Sequence, residues 1–108
     1  MKRFLIIVTA TALWAQTPNV DNGKKLFEAK ACYQCHGWQG QGGFAGARLA
    51  QTKLNLQGFR NIIRNPPPSN MPPYRVAVLS DGEVADLFAF VQAIPTPQPI
   101  GAIPLLKN

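Results

Sequence analysis

The chain is short of the groups from which most catalytic and metal sites are made. Its 108 residues hold one histidine, two cysteines and five acidic residues. Met71 is the only methionine besides the initiator. With so few donors, a four-ligand zinc centre of the usual Cys and His type cannot be assembled within one chain, because Cys32, Cys35 and His36 supply only three ligands. No general acid, base or nucleophile cluster is visible. Asp81, Glu83 and Asp86 read as capping and outer-face residues of a helix. No segment alternates cleanly enough for a strand, and no internal repeat appears. No apolar run reaches the roughly 20 residues that span a bilayer.

The scarce residues lie together. Both cysteines and the histidine fall within "ACYQCHGWQG", residues 31–40, spelling C-x-x-C-H. A thioredoxin-like redox pair belongs in a βαβ setting, but here a helical pattern precedes the motif. A disulfide between Cys32 and Cys35 would close a tiny loop and gain little. Neither accounts for the adjacent imidazole. Covalent haem attachment does, and C-x-x-C-H is its signature. Each thiol adds across one porphyrin vinyl group, and the next residue, His36, falls beneath the iron and offers a ring nitrogen. The expected cofactor is one covalent haem c.

The surrounding sequence reads as helices and loops. "DNGKKLFEAKA", residues 21–31, has Gly23, Phe27 and Ala31 four apart on one face, with Asn19 or Asp21 as the cap. A glycine-rich loop follows the motif. "QGFRNIIRN", residues 57–65, predicts a short helix with Phe59, Ile62 and Ile63 inward, stopped by Pro66–Pro68. "NPPPSNMPPY" is stiff and close to polyproline II. In "LSDGEVADLFAFVQAIP", Ser80 and Glu83 form a capping box, and Val84, Leu87, Phe88 and Val91 make an apolar stripe. Pro95 closes this last helix.

Three parts are expected. Residues 1–15 read as a signal peptide, with Lys2 and Arg3 ahead of an apolar stretch and a cut after Ala15. An uncleaved anchor is the second reading of that stretch. Residues 16–95 form the main domain, and 96–108 a proline-rich, extended tail. The formal charge is +6; without Lys2 and Arg3, nine basic and five acidic residues leave +4. That modest surplus suits an acidic protein partner or an anionic surface. The basic residues are scattered and carry no nucleic-acid motif.

From Gly23 to Pro95 the chain resembles the small bacterial mono-haem class I cytochromes c. The resemblance rests on the first helix, "CYQCHG", "NMPPY" and "LSDGEVADLFAFVQAIP" in that order. It implies an all-α fold of three to four helices wrapped around one haem. The first and last helices cross, with Gly23 and Phe27 opposite Leu87 and Phe88. It implies Met71 as the distal iron ligand opposite His36; the plainer reading of Met71 is a core-filling side chain. A backbone carbonyl around Gly46–Ala47–Arg48–Leu49 is then the acceptor for the other His36 nitrogen. Ala47 stands where the family often has proline. Leu49, Phe59, Ile63 and Tyr74 are candidates for the haem wall, which is nearly the same claim as ordinary core. Trp38 either packs near a propionate or covers the loop. Arg48, Lys53, Arg60, Arg64 and Arg75 are candidates to meet the propionates.

The function implied is electron transfer between exported, periplasmic redox proteins, without catalysis, nucleic acid or a small-molecule substrate. A membrane is met only through an uncleaved N-terminal segment, which would give an anchored protein facing the periplasm. A second reading makes the chain a haem c subunit of a periplasmic dehydrogenase or oxidase, with the tail as a docking arm. A third, of another class, is a ligand-binding sensor or peroxidase-like enzyme, which requires an open site on the Met71 side.

Overall fold

A computed structural model describes residues 4–7 and 17–106. The expected leader, 1–15, lies outside the described residues apart from 4–7, whose side chains are exposed. Four helices, α1 (Val20–Ala29), α2 (Cys32–His36), α3 (Leu56–Arg64) and α4 (Asp81–Ala93), are followed by two 3-10 turns, Ile100–Ala102 and Pro104–Leu106. No strand occurs among the described residues, and the fold is all-α.

α1 starts where a side chain can satisfy its free amides. The Asn19 side chain accepts from the Asn22 N–H at 3.0 Å. The helix ends at Ala29, earlier than the apolar spacing predicts, because Ala31 takes the left-handed conformation (φ 61°) and redirects the chain into α2. α3 begins one residue early, capped by Asn55, which accepts from Gly58 N–H at 2.8 Å. Phe59 and Ile63 face the core as expected, whereas Ile62 is 39% exposed. Adjacent positions on a helix lie about 100° apart, so a narrow inner face takes Ile63 and leaves Ile62 outside. α4 carries the expected capping box, with Ser80 and Glu83 bonding each other's backbone N–H. Its free carbonyls meet the 51–52 loop. Gln51 N–H donates to Val91 O at 2.8 Å, and its side chain donates to Ile94 O at 3.0 Å.

The core lies chiefly between α1 and α4. Phe27, Leu79, Val84, Leu87 and Val91 are almost fully buried. Gly23 is the contact point: a Cβ placed there would sit 2.1 Å from Asp86 O and 2.7 Å from Phe90 Cβ. The aromatic that meets this face is therefore Phe90, tilted against Phe27 with centroids 5.3 Å apart. Phe88, the expected partner, lies two residues round the helix and packs on Phe59 of α3 at 5.4 Å. Asp86 is not simply an outer-face residue. It accepts from Asn19 N–H at 2.7 Å and from the Asn22 side chain at 2.8 Å, tying the start of α1 to α4. The tail is not fully extended, since its non-proline amides close the two 3-10 turns.

Candidate functional site

The C-x-x-C-H segment is a helix of little more than one turn. Cys32 opens it, His36 closes it, and the left-handed Ala31 sets its direction. Both cysteines are free thiols, Cys32 half-buried and Cys35 exposed. Burial pushes the Cys32 thiol above its ordinary pKa, partly offset by a backbone hydrogen bond. No aspartate or glutamate joins these residues in a metal-sized cluster among the described residues, so the fourth zinc ligand is not supplied by a nearby carboxylate.

The glycine-rich loop folds back on this helix. Gly42 N–H donates to His36 O at 2.8 Å, from a backbone with φ +78° that side-chain-bearing residues rarely adopt. Gly46 passes so close that a Cβ would lie 2.8 Å from Cys35 O and 3.0 Å from His36 Nδ1. This approach brings Ala47 O to 2.6 Å from His36 Nδ1. The carbonyl expected from the 46–49 segment is thus in place, and it is that of Ala47. With Nδ1 donating to it, Nε2 is the nitrogen free to bind a metal. Such a bond fixes the ring and raises its basicity.

Met71 is half-buried and packs against the core, as do Cys32, Leu49 and Tyr74. Of the expected wall residues, Phe59 and Ile63 are buried and Leu49 and Tyr74 half-buried. The Tyr74 hydroxyl donates to Lys30 O at 2.9 Å. Its pKa is pushed up, first by burial and then by the charges of Cys32 and Cys35. Trp38 is 61% exposed and stacks on Tyr33, the first residue between the cysteines, at 3.8 Å and 15°. It therefore covers the motif helix.

Among the basic candidates, Arg64 is engaged elsewhere. It donates to Tyr74 O, Leu79 O and Asp81. Its salt bridge, at 2.7 Å, holds the Asp81 carboxyl below its ordinary pKa. Arg48, Lys53 and Arg75 are exposed and Arg60 half-buried. Two open clefts lie apart from the motif, one of about 300 Å³ along Arg48, Ala50 and Ile94–Gln98 and one of about 180 Å³ between Val20, Trp38, Phe90 and Ile94. Neither is lined by Cys32, Cys35, His36 or Met71.

The residues fit a covalently held haem: two free thiols on one helical turn, an adjacent imidazole with one nitrogen already bonded, and a half-buried thioether next to the core. Sequence reasoning missed the Asp86 tie and the Arg64 anchor. The sequence signal for each was only a charge on a helix, read as an outer-face acid for Asp86 and as a propionate candidate for Arg64.

Residues 18–91 match the family described as cytochrome c oxidase, cbb3-type, subunit III. Two curated relatives, both named Cbb3-type cytochrome c oxidase subunit CcoP, come from Helicobacter pylori. The protein of strain 52 is 30% identical and the other 35% identical, each across 69% of this chain. The chain spans only 28% of the length of either. No described helix is long and apolar enough to cross a membrane. With its helical fold and a family match over most of its length, the chain belongs to the cbb3-type cytochrome c oxidase subunit III family and is a cytochrome c.

Proposed function

We propose that residues 16–95 would carry one haem c, held through Cys32 and Cys35, with His36 Nε2 and the Met71 sulfur as the groups that would bind its iron. We propose further that the chain passes electrons within an oxidase complex on the periplasmic side of the membrane. The observation that carries the reading is the 2.6 Å contact between His36 Nδ1 and Ala47 O, which leaves Nε2 available one residue beyond the two thiols. The names of the relatives support an oxidase subunit over the freely diffusing carrier that the sequence first suggests.

Haem c would supply a one-electron ferric–ferrous couple. The chain's part is to hold and tune it. Cys32 and Cys35 would fix the group on α2, and Ala47 O orients His36. Phe59 and Ile63 keep water from the inner side, while Pro72 and Pro73 restrict the backbone after Met71, so less entropy is lost in holding its thioether. A soft thioether favours ferrous iron and raises the reduction potential.

The test is optical and kinetic. The reduced protein and its pyridine derivative should give the spectrum of a haem with two thioether links. Ferrous wild type should bind carbon monoxide slowly, and Met71→Ala about tenfold faster or more. Equal rates would refute the distal assignment. Gel filtration of a native extract should place the protein in a large complex that consumes electrons; elution as a free small protein would refute the subunit reading.

A further inference from the structure

Met71 lies in a stiff segment with few backbone hydrogen bonds of its own. Between Asn65 and Tyr74 five residues are proline and donate no backbone hydrogen bond. The Met71 N–H meets only the exposed Ser69 hydroxyl, at 3.2 Å. The segment must therefore be fixed at its ends, and one side chain reaches the far end from the near one. Arg64 closes α3, and its side chain is 15% exposed. Its Nη1 donates to Tyr74 O at 3.0 Å and Leu79 O at 2.6 Å, and its Nη2 to Asp81 at 2.7 Å. Tyr74 is held twice more, through its N–H to Ile63 O at 2.9 Å and its hydroxyl to Lys30 O at 2.9 Å.

We infer that Arg64 is the positioning residue for the distal ligand, its guanidinium drawing both ends of the Met71 loop together so that the thioether stays at the metal. The inference rests on the His36/Met71 reading above. Three of the five guanidinium donors are engaged, one on Tyr74 at the far end of this loop and two on Leu79 and Asp81 just beyond it, which sets Arg64 apart from the other basic candidates. A lysine offers a point charge without the planar fork and cannot reach the same oxygens with the same geometry. Without the fork the far end of the loop rests on the two remaining Tyr74 bonds alone, Met71 leaves the iron more often, and added ligands enter faster.

The experiment uses the matured haem protein and the variants Arg64→Lys, Arg64→Gln and Asp81→Ala. Gln51→Ala serves as a control, because it cuts hydrogen bonds at the end of α4 away from the loop. Each is compared, at a temperature where circular dichroism shows it folded, by the ferric sulfur-to-iron charge-transfer band and by the ferrous carbon monoxide binding rate. Both Arg64 variants should lose intensity in the band and bind carbon monoxide about tenfold faster or more. Asp81→Ala should change both in the same direction but less. Gln51→Ala should melt lower yet keep the wild-type band and rate. Arg64 variants that melt lower with band and rate unchanged overturn the inference and leave Arg64 a purely structural residue. Should neither Arg64 variant fold, a wild-type rate in Asp81→Ala overturns it. A wild-type protein without the band overturns the axial assignment, and this inference with it.

Discussion

Gly23→Ala is the sharpest probe of how the fold closes. An added methyl would lie 2.1 Å from Asp86 O and 2.7 Å from Phe90 Cβ. The first contact is with backbone, so no side-chain rotation relieves it. To restore ordinary separation, α1 must retreat from α4 by roughly 1 Å, a shift of the kind that costs about 1–3 kcal/mol in packed cores. The retreat also strains the two hydrogen bonds from Asn19 and Asn22 to Asp86, now 2.7 and 2.8 Å. Bonds to a charged acceptor are worth about 1.5–3 kcal/mol each; partial loss of both adds roughly 2 kcal/mol. Against this stands a helix-propensity gain of about 1 kcal/mol for alanine over glycine. The balance is a loss of roughly 3 kcal/mol, equivalent to about 12–24 °C in melting temperature for a domain of this size. Gly82→Ala is the matched control, because its nearest neighbour would be the Ser80 hydroxyl oxygen at 3.9 Å. That variant should be unchanged or more stable by up to about 1 kcal/mol. Thermal and denaturant melts of the two haem-loaded variants decide the matter. Gly23→Ala as stable as wild type would refute the claim that α1 and α4 meet through this glycine.

Other consequences can be measured on the same material. Gly46→Ala should push the loop off Cys35 O and His36 Nδ1 and weaken the bond to Ala47 O; a less basic imidazole supports ferric iron less well, so equilibrium titration should show a potential higher by tens of millivolts. Ser80→Ala removes half of the capping box and should cost about 1 kcal/mol in a urea melt, with ligation unaltered. The Asp81 carboxyl is held below its ordinary pKa by Arg64. Its contribution to stability is therefore complete above the unfolded value near about 4 and is lost as pH falls through the lowered folded value. In acid titrations of stability, Asp81→Asn should abolish this component of the acid-side decline and leave the curve above about pH 5 parallel to wild type.

What could be read in the sequence was the local physics. The capping box at Ser80 and Glu83 and the stripe of Val84, Leu87 and Val91 specify α4 without reference to the rest of the chain. The C-x-x-C-H spacing points to the proposed site for the same reason, since the chemistry proposed for it spans five consecutive residues. What could not be read depends on contacts between distant residues. Asp86 lies 67 residues from Asn19, to which it is bonded, and nothing around it in sequence marks it as anything but an outer-face acid. Arg64 was one of five equivalent basic residues until Tyr74, Leu79 and Asp81 came within its reach. The pairing of Gly23 with Phe90 instead of Phe88 is a matter of helix rotation, which spacing along one helix does not determine. Ala31 ended α1 early because the motif helix needs a change of direction there, a demand that its own side chain does not announce.

Covalent haem attachment at Cys32 and Cys35 is tested by the intact mass of protein produced alongside the haem-attachment machinery. The expected mass is that of the polypeptide plus a single haem that survives acid extraction, with Cys32→Ala and Cys35→Ala each leaving one thioether link. Bare polypeptide from the wild type, or a haem removed intact by acid, would contradict covalent attachment.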